Sequence, residues 1–71
     1  SIYPNPAKNE VFISGLTETY DYKIYGLNGQ LLKYEAGINN NAIDISFLAN
    51  GIYYLEIQSE GYTHRTKVIK E

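Results

Sequence analysis

His64 and Arg65 are the only histidine and the only arginine of the chain, and they are neighbours. An imidazole titrates near neutral pH and a guanidinium holds anions, so such a pair could in principle serve proton transfer or phosphate chemistry. The stretch around them alternates like a strand, however, and adjacent strand residues point to opposite faces. His64 is therefore expected at solvent or at a strand edge, away from Arg65. No cysteine is present to act as nucleophile or thiolate ligand. The acidic residues Glu10, Glu18, Asp21, Glu35, Asp44, Glu56, Glu60 and Glu71 are dispersed, without the spacing of a calcium loop or a carboxylate pair. The glycines stand singly, which leaves no phosphate-cradling loop. No catalytic, metal or cofactor-binding residue is expected, and the chain is not expected to be an enzyme.

The 71 residues suffice for one domain, spanning 1–71, because so short a chain cannot divide its apolar surface between two cores. With 44% apolar and 20% charged residues, it is expected to fold. A net charge of -2 gives no basic footprint for nucleic acid, which is not an expected partner. No apolar run is long enough to cross a bilayer, so no membrane insertion is expected. Residues 1–4 lack the basic and apolar regions of a signal peptide and no methionine precedes them. The chain is thus expected to be a module of a longer polypeptide, any export signal of which lies upstream.

Hydrophobic residues alternate with period two almost throughout, the requirement of strands with one buried face. A short strand is expected around Ile2 and Tyr3, and another over 10–14, with Val11 and Ile13 inward. A loop over 15–19 follows. In 20–27, Tyr22 and Ile24 share a face opposite Asp21, Lys23 and Tyr25. Asn28-Gly29 then predicts a type I′ hairpin turn, with 31–36 pairing back. Ile43, Ile45 and Phe47 are expected on one face of a further strand. Gly51 opens the best strand, with Tyr53, Leu55 and Ile57 inward and Tyr54, Glu56 and Gln58 outward. Glu60-Gly61 predicts a tight turn into 62–70, where Thr66 and Val68 face the core. About seven antiparallel strands at this spacing predict an all-β, immunoglobulin-like sandwich of two sheets.

Three local patterns stand out. Pro4-Asn5-Pro6 is expected to form a stiff, extended lead-in, because each proline fixes its own φ and restricts its predecessor. Leu48, Gly51, Tyr53 and Leu55 resemble a tyrosine corner, in which a hydroxyl bonds the upstream backbone. Arg65, Lys67 and Lys70 give the final strand a basic character that suits an exposed edge.

Taken in this order, the patterns resemble the type A C-terminal sorting domains of proteins exported by the bacterial type IX secretion system. The resemblance covers nearly the whole chain: Pro4-Asn5-Pro6, the hairpin with Asn28 and Gly29, the series Leu48, Gly51, Tyr53 and Leu55, and the lysine-bearing end Lys67, Val68, Ile69 and Lys70. It implies a seven-stranded sandwich at the extreme C-terminus of a secreted cargo protein. It further implies export to the periplasm, then passage to the outer membrane, cell surface or medium. The implied partners are the outer-membrane translocon, shuttle and sortase-like components, besides the upstream cargo domain. Such domains are commonly removed by a sortase-like peptidase, and the freed cargo is sometimes joined to surface lipopolysaccharide. On this reading Pro4, Asn5, Pro6, Lys67, Val68, Ile69 and Lys70 are the recognition residues, with Pro4, Asn5, Lys67 and Lys70 best placed for contact and the last strand able to extend a partner's sheet. Asn28, Gly29, Leu48, Gly51, Tyr53 and Leu55 would be structural. The alternative is an accessory immunoglobulin- or fibronectin-like module that spaces domains or binds carbohydrate through Tyr20, Tyr25, Tyr34, Tyr54 and Tyr62.

Overall fold

The computed structural model describes residues 2–16 and 18–71; Ser1, and Thr17 of the expected loop 15–19, lie outside them. Seven strands form: β1 (Ile2–Tyr3), β2 (Glu10–Ile13), β3 (Tyr20–Tyr25), β4 (Leu31–Ile38), β5 (Ala42–Asp44), β6 (Gly51–Ser59) and β7 (Tyr62–Lys70). They make two sheets, of order β1-β2-β5 and β4-β3-β6-β7, with every strand pair antiparallel. In an immunoglobulin constant domain the fourth strand lies on the first sheet. Here it pairs with β3 and widens the second sheet, while the remaining adjacencies are kept.

The period-two pattern builds the core directly. Val11, Ile13 and Ile43 face inward from one sheet, and Tyr20, Tyr22, Ile24, Leu55, Ile57 and Val68 from the other. Cross-strand partners match in size, as Val11 with Ile43 and Ile24 with Leu55. Ala7, Ile45 and Leu48 close the ends from the connections. The two core tyrosines bring hydroxyls inside, and both are satisfied: Tyr20 donates to the Asn40 carbonyl at 2.8 Å and Tyr22 to the Glu35 carboxylate. Burial, reinforced by Glu35, pushes both phenols above their usual pKa of 10.0.

Three sequence expectations are corrected here. Phe47 is half-exposed and does not continue β5. The Asp44 carboxylate accepts the Ser46 N–H at 3.0 Å, and the Leu48 N–H donates to the Ile45 carbonyl at 3.1 Å. That tight turn sends Leu48 to the core in place of Phe47, whose ring lies 5.0 Å from the Lys33 ammonium. The bonds from Ser46 also hold the Asp44 carboxyl below its usual range.

The hairpin turns also differ from the expected ones. Asn28 lacks the positive φ of a type I′ turn; Gly29 N–H bonds the Gly26 carbonyl at 3.0 Å, Gly26 N–H bonds Gln30 at 2.8 Å, and Gly29 alone takes φ 86°. This is a three-residue loop with a glycine bulge, the geometry such a length selects. The type I′ turn sits instead at Glu60-Gly61, with φ 51° and 76°, between the paired residues Ser59 and Tyr62. Third, the lead-in 3–6 is bent, with cis Tyr3–Pro4 and Asn5–Pro6 bonds.

The tyrosine corner is present. Tyr53 donates its hydroxyl to the Ala49 carbonyl, four residues upstream, at 2.6 Å. Gly51, at φ 156°, takes a backbone that L-residues rarely adopt, and a Cβ at this position would lie 3.9 Å from the Tyr53 ring.

Two outcomes are expected. Tyr53→Phe removes only the hydroxyl and costs about 1 kcal/mol, a fall of about 4–8 °C in melting temperature; an unchanged midpoint would show that the bond contributes nothing. Because Tyr20 and Tyr22 have raised folded values, the stability they contribute is complete below pH 10.0 and is lost as pH rises through those values. Melting temperatures measured across the alkaline range should therefore decline above that point, and less steeply in Tyr22→Phe.

Candidate recognition surface

The N-terminal lead-in and the last strand, separated by the whole chain, form one structure. β1 belongs to the three-stranded sheet, yet four residues after Tyr3 the chain lies on the outer edge of β7 in the other sheet, where Ala7 bridges Lys70 in parallel. Asn5 makes the crossing possible. Its Nδ2 donates to the Lys67 carbonyl at 3.0 Å and its Oδ1 accepts the Ile69 N–H at 2.9 Å. The side chain thereby presents a donor and an acceptor to β7 as a neighbouring peptide group would. Ala7 continues the ladder: its N–H bonds the Ile69 carbonyl at 2.8 Å, and its carbonyl accepts the Glu71 N–H at 2.8 Å. Pro4 and Pro6 flank Asn5 and carry no N–H that would need a partner at the bend.

These bonds change the reading of the candidate residues. Pro4, Asn5, Pro6 and Lys67 are exposed and contiguous. Val68, by contrast, is 3% exposed and packs in the core, and Lys70 is 9% exposed on the same inward side of β7, its Nζ 3.5 Å from the Glu71 main-chain oxygen. Strand alternation puts 66, 68 and 70 on the core side, so Lys70 is not displayed as expected. Ile69 is partly buried opposite Ile52. The edge of β7 over 67–71 is already paired by the lead-in and is not open to a partner's strand. Ala7, 1% exposed, was not singled out by sequence, since a lone alanine carries no sign of a partner 63 positions away.

The outer face of the larger sheet is the other candidate. Register aligns Tyr34, Lys23, Glu56 and Arg65 in one cross-strand row, and Tyr25, Tyr54 and Lys67 in the next. The Arg65 guanidinium lies 5.1 Å over Tyr25 and 3.5 Å from Glu56, and Lys23 stands 5.9 Å over Tyr34. Cations therefore interleave with the rings. Tyr20 is buried and Tyr62 sits at the β6–β7 turn, so the five tyrosines considered for carbohydrate do not converge. His64 faces Ile57 and lines a hollow at the seam between the sheets, on the face of β7 opposite Arg65. Among the described residues, no three His, Cys, Asp or Glu side chains gather as a metal site, and no helix is long and apolar enough to cross a membrane.

Replacing Asn5 tests the lead-in. Asn5→Ala removes two hydrogen bonds to β7 and is expected to cost about 1–3 kcal/mol. Asn5→Asp retains an acceptor for Ile69 but faces the Lys67 carbonyl with a second one, so it should not restore stability. Amide exchange at Ile69 should accelerate in the alanine variant by more than at Leu55, in the centre of the sheet; equal effects at both would mean that Asn5 does not hold this edge.

The family model of the secretion system C-terminal sorting domain matches residues 1–71. No curated protein matches the chain. The all-β sandwich of two antiparallel sheets is consistent with that match. Domains of this family form the tails of secreted or cell-surface cargo proteins and act with the type IX machinery. The chain belongs to this family and is a C-terminal sorting signal for type IX secretion.

Proposed function

We propose that this domain works as a folded address, read at the surface where the lead-in meets the last strand. Outer-membrane translocon and shuttle components of the type IX system contact Pro4, Pro6 and Lys67 there. A sortase-like peptidase then cuts upstream of the domain, and the cargo is released or joined to the cell surface. The domain itself performs no chemistry; its work is display. The observation that carries this reading is the double hydrogen bond of Asn5 to Lys67 and Ile69, which makes a single surface of the two ends of the motif only when the chain is folded. A receptor that recognises this surface thereby distinguishes a folded tail from an unfolded one.

Fusion of the domain to an exported reporter in a type IX-competent bacterium tests the proposal. The intact fusion is expected outside the outer membrane. A version lacking 68–71 loses Val68 from the core as well as the edge partner of Ala7, and should remain periplasmic. Lys67→Glu changes an exposed side chain only, so it should leave melting unchanged while reducing export several-fold. Periplasmic retention of the intact fusion would defeat the proposal, and full export of Lys67→Glu would remove Lys67 from the contact.

A further inference from the structure

Ala7 closes the seam between the sheets at one end, but the opposite end is open. A groove of about 310 Å³ lies there, lined by Ile2, Ile13, Leu16, Ile57, Tyr62 and His64. A second hollow shares Leu16 and Tyr62 with it and extends it toward the turn at Glu60. The lining is largely apolar, and Tyr62 is 64% exposed although its neighbour in the groove, Ile57, is 3% exposed.

The path of the chain leads to this groove. Ile2 pairs with Ile13, the last residue of β2, so β1 begins at the groove's rim. The lead-in runs parallel to β7, with Ala7 opposite Lys70. Tracing it backward from Ala7 to Ile2 therefore leads from the Lys70 end of β7 toward its Tyr62 end. Ile2, the first described residue, thus lies at the rim with the backbone directed toward the groove. Membership of the sorting-domain family places a cargo protein upstream, so a junction with it exists.

We propose that the junction immediately upstream of residue 1 docks in this groove and places an apolar side chain between Leu16 and Tyr62. The size of the groove favours a tethered occupant. About 310 Å³ accommodates one or two side chains, whereas a stable contact between separate proteins buries on the order of 1,000 Å² or more. A tethered segment is held at an effective concentration in roughly the millimolar range, so a small apolar contact suffices. Docking fixes the direction in which the cargo departs from the sandwich. The inference goes beyond the secretion reading and stands whether or not the junction is cut.

Hydrogen exchange on the full-length cargo protein, followed by mass spectrometry of the junction peptide, tests it without reading export. Junction amides are expected to exchange at least ~10-fold more slowly than an unstructured peptide. Leu16→Asp and Tyr62→Ala should abolish that protection and leave exchange in β6 unchanged. Should Leu16→Asp disturb β6, Tyr62→Ala decides, because its side chain is mostly outside the core. Unprotected junction amides in the unaltered protein, or protection that survives Tyr62→Ala, would overturn the proposal. Protection that increases with protein concentration would also overturn it, assigning the groove to a second copy.

Discussion

A carboxamide that gives and accepts a hydrogen bond at the same time holds the N-terminal lead-in of this domain to its last strand. Asn5 takes the place of a peptide group beside β7, and its two bonds, with the two of Ala7 that follow, pair that edge over 67–71. The contribution of each bond is about 1 kcal/mol, small in isolation. A domain of this length has a total stability of roughly 4–10 kcal/mol, so the set is a substantial share of it. The sequence separation adds to its consequence, since the four bonds tie together segments more than sixty residues apart.

The same ladder governs what the sheet presents outside. An unpaired edge invites other chains, and the domain limits its edges by several devices. β1 and β5 are two and three residues long. The pairing of β4 with β3 is broken by two irregularities, near one of which the Asp21 carboxylate takes the Gly37 N–H. β7 is covered at its C-terminal end, from Lys67 on, by the lead-in. The edges left open to another chain are correspondingly few, so what the sandwich presents outside is mainly side chains.

Turns decide which side chains those are. The bond from Ser46 to Asp44 ends β5 at Asp44, short of Phe47, and exchanges Phe47 for Leu48 in the core. The hydroxyl of Tyr53, anchored on Ala49, fixes the corner from which β6 enters the larger sheet. Through β6, Tyr54 and Glu56 are aligned with Tyr25 and Lys23 on one side and Lys67 and Arg65 on the other. The mixed tyrosine and cation face thus follows from register, and register follows from the turns.

What the sequence determined alone was the local part: alternation placed Val11, Ile13, Tyr22, Ile24, Leu55, Ile57 and Val68 inward, and the glycine-bearing pairs at 28–29 and 60–61 marked both hairpins, because side-chain direction and turn propensity depend on near neighbours. The conformations of those turns and the exchange of Phe47 for Leu48 were decided by which hydrogen bonds each loop makes in the folded chain, such as Ser46 N–H to Asp44, while Lys70 turns inward by the same alternation as Val68. The meeting of Asn5 with Lys67 and Ile69 was beyond reach of any local pattern. A side chain's partner across sixty positions is chosen by the path of the folded backbone, which no short run of residues encodes.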